Sequence, residues 1–231
     1  MELLECKHLY KSYDDTPVLK DINLKIGRGK IIGLLGKNGV GKSTLIKIIN
    51  DLLVPTEGEV YINGEKPGVN SKKPIAYLPE RTYLDKEMKI SEGFHYFEEF
   101  YDNFNIEKAK KLLKDLNLDI NKKISKMSKG MQEKLQLVLV MSRDADLYIL
   151  DEPLGGVDPA TRDYILDTIL SNFKEGASMI ISTHLISDIE RILDEVIFMN
   201  DGKIILTSPA DELREKEKGS IDEIFRRYFK C

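Results

Sequence analysis

The 231-residue chain has only two cysteines, Cys6 and Cys231. That excludes a disulfide framework or a cysteine-based zinc site, and a reducing cytosol is the simplest setting. The three histidines, His8, His95 and His184, stand too far apart in sequence to form a local metal motif. Long apolar runs are missing as well: stretches such as 137–141 fall far short of the roughly 20 residues that a membrane span needs. The chain starts acidic and carries no apolar signal core, so secretion is not expected. Neither sign of charge dominates. Thirty-five Lys and Arg against 39 Asp and Glu leave a net −4, which gives no bulk attraction to nucleic acid or anionic lipid. No internal repeat or low-complexity tract occurs. Disorder is equally unexpected, because 42% of residues are hydrophobic and that suffices for a core.

What is present alternates between two periodicities. Residues 3–10 and 18–26 alternate apolar with polar side chains and read as two antiparallel strands. Residues 30–35 form a short apolar run, as in a buried strand, and 43–53 then show helical spacing before Pro55 and Gly58. Val60 to Ile62 enters a tight Asn63-Gly64 turn. From about 85 to 143 the texture is helical, first crowded with aromatics over 94–104 and then Lys-rich over 106–118. Residues 147–150 and 179–182 read as buried strands flanking a helix over 161–173, and 196–206 as a hairpin. A stripe of Ile221, Ile224, Phe225 and Tyr228 predicts a tail helix that either docks on the chain's own core or forms a dimer contact. Strands alternating with helices imply an α/β fold with a mainly parallel sheet, an N-terminal antiparallel piece and a helical insertion. The expected division is a core over 1–84 and 144–210, a helical subdomain over 85–143 and a helical tail over 211–231.

Two segments carry chemistry. Gly36-Lys37-Asn38-Gly39-Val40-Gly41-Lys42-Ser43 fits the phosphate-binding pattern G-x-x-x-x-G-K-[ST], with a buried strand before it and an amphipathic helix after it. Glycines let the backbone wrap around phosphate oxygens, and the amides with the helix N-terminus supply donors. Lys42 is expected to reach the β- and γ-phosphates, Ser43 to ligate Mg²⁺, and Thr44 to follow it into the site. The apolar strand 147–150 ends in Asp151-Glu152. Ligands of a parallel sheet gather at the carboxyl ends of its strands. Asp151 would therefore hold Mg²⁺, and Glu152 would orient the attacking water or take its proton.

With both elements in place, the sequence resembles the ATP-binding cassette (ABC) family, specifically the ATPase subunit of an ABC transporter, from about residue 3 to 211. The resemblance implies a P-loop NTPase core that binds ATP and Mg²⁺. It places Tyr13 where an aromatic ring stacks on adenine, and His184, after Ser182-Thr183, where a histidine lies near the γ-phosphate. Ser128-Lys129-Gly130-Met131-Gln132 falls where the family carries its signature loop, usually Ser-Gly-Gly-Gln. Ser128 and Gly130 match, while Lys129 and Met131 depart. Gly156-Val157-Asp158-Pro159 resembles the loop that crosses the dimer interface. Glu80 stands where the family usually has the glutamine that senses Mg²⁺ and the attacking water.

The resemblance further implies a sandwich of two ATP-binding subunits, alike or different. Each ATP would be held by the phosphate loop of one chain and the signature loop of the other. Separate transmembrane permease subunits would dock beside the segment from Arg81 to Tyr101, keeping the chain peripheral at the cytoplasmic face of the cell membrane. No nucleic acid is expected as a partner. A GTPase would need Asn-Lys-x-Asp, and Asn121-Lys122-Lys123-Ile124 lacks the acid. The reading that stays open beside a transport motor is a regulatory module that hydrolyses ATP weakly, prompted by Glu80, Lys129 and Met131.

Overall fold

In the computed structural model, which describes residues 2–229, two sheets share the chain. Strands β1 (Leu4–Tyr13), β2 (Thr16–Ile26) and β4 (Glu57–Ile62) form a three-stranded antiparallel sheet in the order β2-β1-β4. The second sheet joins β3 (Ile31–Leu35), β5 (Ile75–Leu78), β6 (Leu147–Asp151), β7 (Ser178–Thr183), β8 (Glu195–Asn200) and β9 (Lys203–Pro209). Its order is β5-β6-β7-β3-β8-β9. Five of these strands are parallel, and β9 closes the edge antiparallel to β8. The expected mixed α/β architecture is therefore observed.

Helix α1 (Lys42–Ile49) follows β3, and the short α2 (Val69–Lys72) precedes β5. Helices α3 (Ile90–Phe100), α4 (Ile106–Asp115) and α5 (Lys129–Met141) lie between β5 and β6 in sequence. Helix α6 (Pro159–Asn172) leads to β7, the short α7 (Ile186–Ile189) leads towards β8, and α8 (Ala210–Glu217) and α9 (Ile221–Phe229) end the described chain.

The parallel strands of the six-stranded sheet are buried on both faces, so they are apolar at successive positions and the two-residue pleat sorts them, while edge strand β9 stays half exposed. Ile149, Ile32, Leu34 and Ile180 face one cluster shared with α1 and the three-stranded sheet. Tyr148, Leu150, Leu78, Ile181 and Phe198 face a second cluster shared with α3 to α6, α8 and α9. The sheet thus presents the carboxyl ends of its parallel strands between two packed layers.

Two local expectations change. Helix α1 stops at Ile49 rather than near residue 53, because Asp51 takes a left-handed φ of 53° and Leu52 is exposed. Residues 116–128 of the insertion hold only a single 3₁₀ turn over Ile124–Lys126. The first helix of the tail, α8, has two acids in its first turn and basic residues in its last, a charge order that suits the helix dipole. Cys231 lies outside the described residues.

Candidate nucleotide site

The loop after β3 is shaped by steric exclusion. Gly39 and Gly41 take φ of 82° and 107°, where L side chains are strained. A Cβ on Gly36 would lie 2.7 Å from the Met199 carbonyl oxygen, and one on Gly41 would lie 2.8 Å from Leu19. The loop is therefore wedged against β2 and β8 with its backbone exposed to the cleft. Lys42 opens α1 and is only 6% exposed. Its ammonium donates to the Gly36 carbonyl at 2.6 Å and the Lys37 carbonyl at 3.1 Å, and burial lowers its pKa from the ordinary value. Lys37 points the other way and donates to the Phe229 carbonyl at 3.3 Å, tying the loop to α9.

Opposite stands the end of β6. Asp151, 2% exposed, accepts a hydrogen bond from the Ser182 hydroxyl of β7. Glu152 turns out of the strand with φ of 51°, a strained conformation for a residue that carries a Cβ. Its amide donates to the Ser182 carbonyl at 2.9 Å. Its Oε2 accepts from the Thr183 hydroxyl at 3.1 Å and lies 3.0 Å from His184 Nδ1. Its Oε1 is buried without a hydrogen-bond partner and sits 4.0 Å from Lys42 Nζ. Pairing across β6 and β7 brings these residues together from 31 or 32 positions apart.

A cleft of about 870 Å³ opens over this pair. It is lined from the core by Val18, Asn38, Gly39, Gly41, Lys42, Ser43, Thr44, Glu152 and His184, and by Glu80, Arg81 and Thr82 after β5. Helix α5 contributes Lys129, Gln132, Glu133 and Gln136. A smaller cavity of about 30 Å³ behind the cleft joins Glu80, Glu133, Gln136, Asp151 and Glu152. Glu133 Oε2 and Gln136 Oε1 are buried there without partners.

Not every expected residue lines the cleft. Gly36, Lys37 and Val40 belong to the loop without bordering the open space. Tyr13, at the end of β1, is 45% exposed with Lys11 Nζ 5.4 Å above its ring, and is not a lining residue. Ser128 caps α5 by accepting from the Met131 amide at 3.3 Å. Neither it nor Gly130 borders the cleft of its own chain. Val18, Arg81, Thr82, Glu133 and Gln136 were not anticipated. They belong to no local motif, and only the packing of β2, β5 and α5 brings them to the cleft.

A family model described as "ABC transporter" matches residues 19–155, from β2 past the end of β6. The chain is 30% identical over 217 residues to the ABC transporter ATP-binding protein YtrB of Bacillus subtilis, covering 93% of this chain and 74% of that one. To EcsA of the same organism, an ABC-type transporter ATP-binding protein, it is 30% identical over 236 residues, covering 97% and 96%. Among solved structures, an ATP-binding subunit of an ABC transporter superposes with a TM-score of 0.88 at 29% identity, covering 97% of this chain and 98% of that one. With its phosphate loop and Glu152 facing one cleft and Asp151 behind it, the chain belongs to the ABC transporter family as an ATP-binding subunit.

Proposed function

We propose that the cleft hydrolyses ATP, with Lys42 and Glu152 on either side of the transferring phosphoryl group. One observation carries this reading: a buried lysine and a partly buried glutamate from distant parts of the chain converge to 4.0 Å, and the carboxylate oxygen that faces the lysine is buried with no other partner. The backbone of 36–41 with the start of α1 cradles the phosphates. Lys42 offsets charge on the β- and γ-phosphates. Glu152 orients the attacking water, and His184, in contact with Oε2, steadies that carboxylate.

Mg²⁺ fits the residues present. Ser43, Asp151 and Glu80 would hold it. Acceptor oxygens without partners crowd the neighbouring small cavity, and oxygen donors suit this hard cation. Among the described residues no three His, Cys, Asp or Glu side chains are grouped to hold a metal by themselves. That suits an ion whose remaining ligands are water and substrate phosphates. Bound there, Mg²⁺ would neutralise phosphate charge.

Ser128 and Gly130 do not border the cleft of their own chain, although Lys129 and Gln132 of the same loop do; in the resemblance this loop serves the nucleotide of a second subunit. A sandwiched dimer is therefore part of the proposal. No described helix is long and apolar enough to cross a membrane. Transmembrane subunits would carry the cargo and hold the chain at the cytoplasmic face, docking near the segment that runs from Arg81 to Tyr101.

The test is Glu152→Gln. ATP binding should persist while steady-state ATPase activity, measured with the membrane subunit present, falls by about 10²- to 10⁴-fold. Sizing chromatography with ATP and Mg²⁺ should then show a trapped dimer. Near wild-type turnover with only monomer would overturn the role of Glu152. Negligible turnover in the unaltered chain would favour the regulatory reading.

A further inference from the structure

Helix α5 turns one face towards the end of β6. Lys129, Glu133 and Gln136 recur at steps of four and three, so they share a side of the helix, and all three border the nucleotide cleft. Glu133 and Gln136 also reach the cavity of about 30 Å³ behind it, where Glu80, Asp151 and Glu152 stand.

Gln136 is the unusual member. It is 3% exposed, and its Oε1 is buried without a hydrogen-bond partner among the described residues. Two more buried oxygens on this wall share that condition, Glu133 Oε2 and Glu152 Oε1. The other oxygen of each carboxylate is engaged: Glu133 Oε1 lies 3.6 Å from the Lys129 ammonium, and Glu152 Oε2 meets Thr183 and His184. All three lone atoms are acceptors, and a buried acceptor without a donor is costly. Whatever meets them must donate, and more than once.

Water does this. One water needs roughly 10–15 Å³ of such space and two to four polar partners, so the cavity has room for two. Two waters bring four O–H groups, three for the lone oxygens and one for each other's company. The proposed Mg²⁺ calls on Ser43, which borders the cleft and not this cavity, so the ion and the waters have separate places.

We propose that the cavity is a water site organised by Gln136, and that Gln136 is through it a positioning residue for Glu152. The waters donate to Gln136 Oε1, Glu133 Oε2 and Glu152 Oε1, which fixes the Glu152 carboxylate at both oxygens. A carboxylate oxygen has two lone pairs, so Oε1 keeps one for the attacking water. A neutral amide suits the place, because another carboxylate beside Glu80, Glu133, Asp151 and Glu152 would add like charge. The inference rests on the hydrolysis proposed above and adds the residue that steadies its carboxylate from behind.

A high-resolution crystal structure of the full chain tests the site directly. Ordered waters should stand about 2.6–3.2 Å from Gln136 Oε1 and Glu133 Oε2. Gln136→Met keeps the length of the side chain and removes its acceptor. Under a merely structural role this change leaves turnover alone and leaves or raises Tm, since a lone buried amide gives way to an apolar chain of similar shape. Under the inference, kcat measured with the membrane subunit present falls by about 10- to 100-fold, while KM for ATP holds. Gln136→Leu repeats the comparison with a second apolar side chain. A dry cavity overturns the site. Waters in place with an unaltered kcat in both variants overturn the positioning role and leave hydrolysis through Glu152 standing. Negligible turnover of the unaltered chain removes that hydrolysis, and the role of Gln136 with it.

Discussion

Lys42 and Glu152 each occupy a position that costs stability. The lysine is buried, which disfavours its charged form, and the glutamate adopts a left-handed backbone conformation worth about 1–3 kcal/mol of strain. Both costs are borne where the chain meets its nucleotide. In the proposed site, Lys42→Ala removes a charged donor to the phosphates. The expected result is nucleotide affinity reduced by about 10- to 100-fold in calorimetric titration, the range for a hydrogen bond to a charged group. Because the buried ammonium now bonds only to two loop carbonyls, the same variant should melt close to wild type. Unchanged affinity would remove Lys42 from the site.

At the level of elements, α9 decides between two uses of one apolar stripe. Ile221, Ile224, Phe225 and Phe229 are buried, and Tyr228 is half exposed. The rings of Phe225, Tyr228 and Phe229 surround Phe198 of β8 at centroid distances of 5.3, 5.7 and 6.1 Å. The stripe seen in the sequence therefore packs on the chain's own sheet. Phe225→Ala should cost about 3 kcal/mol and lower Tm by roughly 6–12 °C in a thermal melt. An unchanged Tm, with loss only of ATP-driven dimerisation, would assign the stripe to a partner instead. The same helix touches the phosphate loop through Lys37, so a destabilised tail should also loosen that loop.

At the scale of the whole molecule, the nucleotide cleft shares the segment after β5 with a second groove of about 380 Å³, which Lys47, Lys72, Arg81 and Arg143 line without an Asp or Glu. Arg81 lines both spaces, and Glu80 faces the first. A shift of α5 or of this segment on ATP binding would therefore move the walls of both, which gives the two sites a physical route for coupling. Crosslinks from Tyr83→Cys or Met88→Cys to the membrane subunit should change in yield when ATP is added. A yield that ignores ATP in an active complex would separate the groove from the nucleotide cycle.

The nucleotide-binding loop and the acidic strand end were legible because their chemistry is local. The glycine spacing at 36–41 is the one a backbone needs to wrap a phosphate, and Asp151-Glu152 follows an unbroken apolar strand. Most strands and helices were legible from period alone, since a two-sided buried sheet leaves apolar runs and a one-sided helix leaves a stripe. Helix ends were less so. The stop of α1 depends on the left-handed turn at Asp51, which no periodicity announces. Which residues share the cleft was decided by tertiary structure: β6 lying beside β7 sets Thr183 and His184 against Glu152, and the packing of α5 delivers Glu133 and Gln136. Charge pairing likewise cannot be read along a chain. Lys47, Arg81 and Arg143 are three ordinary cations in the sequence, and only the fold gathers them into one groove without an acid, because β5 at the sheet edge lies between α1 on one face and the end of α5 on the other.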